Sequence, residues 1–290
     1  MKLLRIVCLI VFALSSISYL GYYGYKEKTR DDWGPTVTCD KDYFQASVTS
    51  QPEELLLGVT ARDDKDGDVS STLLIESISD FISPGKRRIT YAAFDSNNNI
   101  SKMEKELVYT DYSAPKFSLT NPLRFPVGDT EDILRYVRAN DCIDGDLTEL
   151  IKYDEPEQNF GRAVGNYPIK LHVTNSAGDT SYLPTEVEFY SGYEDREQVA
   201  EIKLKEYLIY LAKGERFDPK AYLLSVVMNE REYPLSMRPS SGGDSQMDIS
   251  SIAISSEVNI QESGLYDVEY TLITTDGYSG ATKLLVIVEE

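Results

Sequence analysis

The chain has 290 residues, of which 41% are hydrophobic and 11% aromatic, so it holds enough apolar material for the cores of two or three small domains. Its 29 Lys and Arg against 48 Asp and Glu give a formal net charge of −19, which argues against nucleic acid as a partner. The three cysteines, Cys8, Cys39 and Cys142, fall in different segments and lack the spacing of a disulfide framework or a zinc site.

The N-terminal segment is almost uncharged from Ile6 to Tyr23, after basic residues at Lys2 and Arg5. Its length, about 18 residues, is at the short end for a membrane-spanning helix. Tyrosines at its end are typical of the aromatic belt at a membrane interface, whereas the small residues of a cleavage site are weakly represented. We predict a signal anchor over 1–25, with a single pass and the bulk of the chain outside the cell. A secreted protein that loses a signal peptide is the alternative.

A charged stalk is predicted over 26–35, because Trp33-Gly34-Pro35 ends it with a turn signal. From Thr36 onward, short β-type segments arrive every 8–12 residues with turns between them, which is typical of a β-sandwich. The strands predicted for this first unit, 36–111, are Thr36–Thr38, Phe44–Val48, Leu55–Ala61, Leu73–Ile75, Ile89–Phe94 and Lys105–Tyr109. Alternation in the fifth of them places Ile89, Tyr91 and Ala93 on one face.

An acidic motif recurs along the chain. Residues 61–71 contain Asp66-Gly67-Asp68, and residues 139–148 contain Asp144-Gly145-Asp146, which lies 78 positions further on. A repeat of that length is a domain. We therefore predict a second unit over 112–191, in which the segment from Gly165 and the turn at Asn175 repeat Gly85–Ala93 and the turn at Asp95.

The third predicted unit, 192–290, is more divergent. It lacks Asp-Gly-Asp, and residues 241–244 with Asp248 occupy that neighbourhood. It keeps the late segment Gly264–Leu272, in which Val268, Tyr270 and Leu272 are expected to face inward. The stretch 201–211 alternates and precedes Lys213-Gly214, so it is interpreted as a strand.

The repeated pattern resembles a known family. A strand ending in Ala-x-Asp-x-x-Asp-Gly-Asp, then Gly-x-Tyr-x-Ile/Val, then Asp/Asn-Ser-x-x-Asn, is similar to the bacterial immunoglobulin-like domains found in tandem on Gram-positive surface proteins. One such domain is named after an insecticidal crystal toxin. The resemblance covers about 36–190, and the third unit shares only its late half. It implies immunoglobulin-like β-sandwiches and no enzymatic activity. Together with the apolar leader, it leads us to predict an all-β chain of tandem immunoglobulin-like β-sandwiches after one N-terminal transmembrane helix.

The acids of the repeat are the candidate metal ligands. In such a sandwich the loop after the second strand and the late hairpin turn lie at the same end, so their carboxylates converge near the domain joint. Ca²⁺ takes six to eight oxygens and tolerates irregular geometry. Solvated loop acids and Asp-capped turns explain the same residues without a metal. The candidates are Asp63, Asp64, Asp66, Asp68, Asp95, Asp111, Asp141, Asp144 and Asp146.

Other chemistry finds little support in the sequence. His172 is the only histidine and is expected to face solvent on its strand, and there is no nucleophile elbow or phosphate-binding loop. The prediction is a non-enzymatic, membrane-anchored surface protein that acts as a spacer, an adhesin or a protein-binding module. The alternative is a carbohydrate- or peptidoglycan-binding accessory protein of a cell-surface enzyme or transport complex.

Overall fold

The computed structural model describes residues 2–29, 31–129, 132–154, 160–191, 198–236 and 246–290. The chain divides into two compact units, Met1–Tyr112 and Ser113–Glu290. The regular structure of the described residues consists of an N-terminal helix, short helical turns and strands in mostly antiparallel sheets. The expected all-β sandwich architecture is therefore confirmed.

The N-terminal helix, α1, runs from Lys2 to Thr29. The part that is long and apolar enough to cross a membrane is Arg5–Lys26, 22 residues, and none of its apolar window is buried against the rest of the protein. At 1.5 Å per residue it spans about 33 Å, close to the thickness of a hydrocarbon core. A signal sequence near an N-terminus has the same length and composition.

The first sandwich lies in the first unit. Its elements are β1 Thr36–Cys39, β2 Tyr43–Ala46, α2 Pro52–Leu55, β3 Val59–Asp63, β4 Gly67–Asp68, β5 Leu74–Ile78, β6 Lys86–Phe94 and β7 Ile100–Tyr109. One sheet has the order β1-β3-β4 and the other β2-β7-β6-β5. β2 pairs with β7 in parallel, whereas the other pairs are antiparallel.

The second unit contains two further sets of strands, one with the same arrangement and one with an extra strand. The first set of strands is β8 Lys116–Leu119, β9 Arg124–Pro126, β10 Val137–Asp141, β11 Gly145–Asp146, β12 Lys152–Tyr153, β13 Gly165–Thr174 and β14 Thr180–Tyr190. The second set is β15 Ala200–Leu204, β16 Leu208–Leu211, β17 Leu223–Met228, β18 Arg231–Ser236, β19 Met247–Asp248, β20 Ile252–Ser256, β21 Gly264–Ile273 and β22 Ser279–Val288. β9 pairs in parallel with β14, and β16 with β22, as β2 does with β7.

The predicted inward faces are confirmed. Ile89, Tyr91 and Ala93 on β6 are fully buried, and Val268, Tyr270 and Leu272 on β21 are buried in the same way. Each buried tyrosine satisfies its hydroxyl on a backbone carbonyl: Tyr91 donates to Leu55 O at 2.7 Å and Tyr270 to Pro219 O at 2.8 Å. Both carbonyls belong to the helical turn that precedes the central strand of the facing sheet.

Two strand predictions were wrong in detail. Residues 55–61 are not one strand: Pro52 starts the short helix α2, which Gly58 follows with φ of +88°, and β3 begins only at Val59. Pro at the first helical turn and the acidic residues after it favour helix there over strand. The stretch 201–211 is two strands, β15 and β16, which belong to different sheets. The joint predicted at 192–197 and the loop 241–244 lie outside the described residues.

Candidate metal centre in the first sandwich

The hairpin turn between β6 and β7 is built by Asp95. Its Oδ1 accepts hydrogen bonds from the backbone N–H groups of Asn97 and Asn99, both at 2.8 Å. Asn98 has φ of +64°, a conformation that Asn tolerates better than most residues. Although it sits on a loop, Asp95 is only 4% exposed. The turn therefore holds a buried carboxylate with a fixed orientation.

The loop after β3 brings a second buried carboxylate to the same place. Asp63 is the last residue of β3, and its Oδ1 accepts from Lys65 N at 2.8 Å and from Asp66 N at 2.9 Å. The hydrogen bonds from Asp66 and then Lys65 lower the pKa of Asp63. The Asp66 carboxylate accepts from Ser96 N at 2.7 Å and Ser96 Oγ at 3.0 Å, so this loop and the hairpin turn meet at one end of the sandwich, as expected.

The stalk adds a third carboxylate that the sequence did not single out. One oxygen of each of Asp31, Asp63 and Asp95 lies within 4.8 Å of the others. The Asp31 side chain is 6% exposed, and its Oδ1 is 3.7 Å from Lys65 Nζ. Asn99 Nδ2 donates to Asp31 O at 3.1 Å and to Asp95 Oδ2 at 2.8 Å, which ties the stalk backbone to the turn. The signal that could have found Asp31 is its position: it stands four residues before Pro35, as Asp111 stands before Pro115.

The remaining candidate acids of the first sandwich have other surroundings. Asp64 is exposed. Asp68 accepts at 2.9 Å from the backbone N–H of Ser70, the first residue of the helical turn after β4, and so caps that turn from the position before its N-cap residue, Val69. The Asp111 carboxylate accepts from Ser47 Oγ at 2.6 Å and from Val48 N at 2.9 Å. Metal binding by these residues stays a prediction.

At the equivalent site in the second sandwich, an uncharged amide replaces one of the buried carboxylates. Asn175 takes the place of Asp95, is 4% exposed, and donates through Nδ2 to Asp141 Oδ1 at 3.3 Å. Asp144 accepts from Ser176 N and Oγ at 2.7 and 2.6 Å, as Asp66 does from Ser96. Asp146 caps the next turn through Thr148 N at 2.9 Å, as Asp68 does in the first sandwich. Cys142, in the place of Asp64, donates through Sγ to Ser113 O at 3.2 Å.

Among the described residues of the third sandwich, Asp248 is the counterpart of the acids that cap these turns. Asp248 accepts from Ser250 N at 2.8 Å at the start of a helical turn, in the position of Asp68 and Asp146. Its hairpin turn begins with Thr274, whose Oγ1 accepts from Tyr278 N at 3.0 Å. Asp, Asn and Thr therefore build the same turn in the three sandwiches.

A separate cleft of about 880 Å³ lies inside the second unit. It is lined by strands of the second and third sandwiches, including Tyr207, Tyr266, Glu186 and Thr282. The Thr282 hydroxyl oxygen is buried and makes no hydrogen bond with the described residues. His172 lies elsewhere: it is partly exposed on β13 between the buried Leu171 and Val173, with Nδ1 3.9 Å from Asp154.

Comparison with known proteins gives distant structural likenesses. No model of a known protein family matches the chain, and no curated protein matches it. Among solved structures, the CBM51-2 and INT domains of Clostridium perfringens ZmpB, determined with GlcNAc, share 16% identity over 51% of this chain and 26% of theirs, with a TM-score of 0.22. Mouse cadherin-23 EC22-24 shares 14% identity over 89% of this chain and 99% of its own, with a TM-score of 0.20.

The extracellular domain of protocadherin gammaB4 shares 12% identity over 89% of this chain and 49% of its own, with a TM-score of 0.19. This chain spans about a quarter to a third of the length of the ZmpB structures. At these scores the likenesses carry no argument about ligands or activity.

Proposed function

We propose that the chain is a non-enzymatic surface protein, anchored in a membrane by α1, whose sandwiches act outside the cell as a spacer and protein-binding module. The observation that carries the proposal is the exposed apolar surface of α1. Leu9, Phe12 and Leu20 are 67–71% exposed, and the helix runs through a short stalk into the first sandwich. Water disfavours such a surface by about 25 cal/mol per Å², and lipid removes that cost.

The acidity of the chain fits an exposed location. A net charge of −19 keeps a protein soluble and weakens its association with anionic lipid headgroups, so only the helix is expected to hold the chain at the membrane. The three cysteines are free in the described structure, so the sandwiches rely on packed cores and hydrogen bonds.

Cell fractionation tests the anchor. The full chain with a C-terminal tag is expected to remain in bacterial membranes after alkaline carbonate washing, with its intact N-terminus seen by mass spectrometry and its tag cleaved by protease added to intact cells. Leu9→Arg combined with Leu14→Arg is expected to release it. The matched control, Ile273→Arg, changes a 76% exposed apolar residue of the third sandwich and should leave the chain in the membrane.

A chain recovered in the wash with an N-terminus beginning after the helix would contradict anchoring and would show that α1 is a removed signal peptide.

A second candidate function is glycan binding by the cleft of the second unit. Its favouring observation is the partly exposed ring of Tyr266 in the same cleft as the exposed carboxylate of Glu186, because sugars stack on aromatic rings and hydrogen-bond to carboxylates. A glycan array probed with the full chain in detergent tests it. Retention that is lost in Tyr266→Ala and kept in Tyr43→Ala, an exposed tyrosine of β2, would support this function, and no retained glycan would favour the spacer.

A further inference from the structure

The three carboxylates of the stalk, the β3 loop and the hairpin turn form an unbalanced buried group of charges. One carboxylate oxygen of each of Asp31, Asp63 and Asp95 lies within 4.8 Å of the other two. The side chain of Asp31 is 6% exposed, and the residues Asp63 and Asp95 are 5% and 4% exposed. Lys65 Nζ is the nearby cation, 3.7 Å from Asp31 Oδ1. Among these four side chains, three negative charges face one positive charge. Burying like charges together is costly unless they are neutralised, so a further positive charge would stabilise the cluster.

An independent observation points to a ligand. Asp31 Oδ2 is buried from solvent and accepts no hydrogen bond from the described residues. Because a buried carboxylate oxygen without a donor loses its hydration with nothing in return, such an atom normally faces a metal ion or an ordered water.

The internal repeats show that the turn itself does not require an acid. Asn175 Oδ1 accepts from Ala177 N and Asp179 N at 3.1 and 2.9 Å, which are the same two turn contacts that Asp95 makes. The Asn175 amide also supplies the donor that Asp141 needs. A carboxylate at position 95 cannot supply that donor and places a second negative charge beside Asp63, and its Oδ2 accepts from Asn99 Nδ2 at 2.8 Å.

We propose that Asp31, Asp63 and Asp95 bind one Ca²⁺ ion, which fastens the stalk to the first sandwich. The ligands are oxygens only, without the nitrogen or sulfur that would favour zinc or copper. A divalent ion neutralises the two excess negative charges. Ca²⁺ accepts irregular coordination and fills it with water, whereas Mg²⁺ demands a near-ideal octahedron.

The proposed ion has a mechanical consequence. Asp31 lies between the end of α1 at Thr29 and the start of β1 at Thr36. An ion shared with Asp63 and Asp95 would hold this connection against the end of the sandwich and order the first residues outside the helix. This inference goes beyond the proposed function, and it stands whether or not α1 stays in a membrane.

Terbium luminescence tests binding directly on the full chain in detergent. Trp33 is the only tryptophan and lies two residues from Asp31, so excitation of tryptophan is expected to sensitise Tb³⁺ bound in this cluster. Added Ca²⁺ should displace Tb³⁺ and quench the signal, and Mg²⁺ should do so at least about tenfold less effectively. Asp31→Asn and Asp95→Asn should each abolish the signal.

The matched control is Asp68→Asn, which removes one negative charge from an exposed residue on β4, outside the cluster. It should keep the luminescence. No sensitised emission from the wild-type chain, or equal emission from Asp95→Asn and wild type, would overturn the proposal.

Hydrogen exchange of the wild-type chain locates the ion, and it does not depend on whether the variants fold. In the wild-type chain, Ca²⁺ relative to EDTA should slow exchange about tenfold or more at residues 31–36, 63–66 and 95–99. Residues 141–144 and 175–179, the equivalent loops of the second sandwich, should not change. Equal exchange with Ca²⁺ and EDTA in the first set, or equal slowing in both sets, would contradict a specific ion in the first sandwich.

Discussion

Asn175 Nδ2 donates to Asp141 Oδ1 across 3.3 Å at the point where the first sandwich places two buried carboxylates, Asp95 and Asp63, side by side. The two sandwiches share strand order, turn geometry and the capping acids Asp68 and Asp146. Their hairpin turns begin with different groups, a carboxylate in Asp95 and an amide in Asn175. In the second sandwich the amide of Asn175 therefore donates a hydrogen bond to the Asp141 carboxylate, whereas the proposed cation would take that role in the first sandwich.

Asn175→Asp should recreate the carboxylate pair without its third member. We expect the free energy of unfolding of the second sandwich to fall by roughly 1–3 kcal/mol at pH 7, because Asp141 loses its donor and gains a like charge. Protonation of the introduced carboxylate would remove the like charge, so the loss should shrink as the pH falls toward about 5. Urea unfolding followed by circular dichroism measures it.

The control for this substitution is Asn175→Thr, which keeps a turn-forming oxygen as Thr274 does and adds no charge. Its effect should not depend on pH between about 5 and 7. Equal pH dependence in the two variants would contradict the electrostatic interpretation.

The buried tyrosine hydroxyls should contribute measurably to stability. Tyr91→Phe and Tyr270→Phe each leave a backbone carbonyl without its donor, so each should cost about 1–2 kcal/mol in denaturant unfolding. Burial raises the pKa of both phenols, which should therefore not ionise while the sandwiches are folded. Tyr43→Phe, at an exposed residue, is the control and should change stability little.

Acid should destabilise the protein through a defined set of carboxylates. Hydrogen bonds from backbone and hydroxyl donors lower the pKa of five residues below 3.8: Asp63, Asp68, Asp111, Asp146 and Asp248. A folded pKa below the unfolded one gives stability that is fully present above the unfolded value. That contribution is lost as the pH falls through the folded values. The contribution of these carboxylates to the free energy of unfolding should therefore stay constant from pH 7 to about pH 5 and decrease at pH values below about 4.

Asp146→Asn should reduce the steepness of that acid loss, because an amide still caps the turn but does not titrate. A protein whose stability kept rising down to pH 3 would contradict the role of these carboxylates.

Gly280 marks a close backbone approach in the third sandwich. A Cβ atom there would lie 1.7 Å from Ala200 O, so Gly280→Ala must separate β22 from β15 and should cost at least roughly 2 kcal/mol. Gly264→Ala on β21 is the matched control, because its Cβ would meet only the Tyr266 ring at 3.5 Å. It should stay within about 0.5 kcal/mol of wild type. Thermal unfolding of both variants checks the contrast.

The sequence predicted the fold where periodicity and turn chemistry agree. Alternation located β6 and β21 with their inward residues, and Asp-Ser-Asn-Asn-Asn located the turn whose Asn98 takes a positive φ. It misplaced β3, because the apolar run Leu55-Leu56-Leu57 looks like a strand while Pro52 and Gly58 impose a helical turn. Local apolarity does not distinguish these two outcomes.

The sequence predicted two of the three carboxylates of the candidate site, through the repeat and not through periodicity. Asp63 and Asp95 were found because each belongs to a repeated motif. Asp31 was missed because it precedes the first strand and is brought into the cluster only by the stalk's path over the sandwich end, which no local pattern encodes. Motif acids such as Asp68 and Asp248, in contrast, cap helical turns. The same sequence spacing fits a capping residue and a metal ligand, so the motif alone does not distinguish the two roles.

Calorimetric titration of the full chain in detergent with Ca²⁺ tests the central claim most directly. The predicted result is one ion bound per chain, with binding abolished in Asp95→Asn and retained in Asp68→Asn. One ion reflects the first sandwich alone, because the second satisfies Asp141 with Asn175. No bound Ca²⁺, or the same titration in Asp95→Asn as in wild type, would contradict the account.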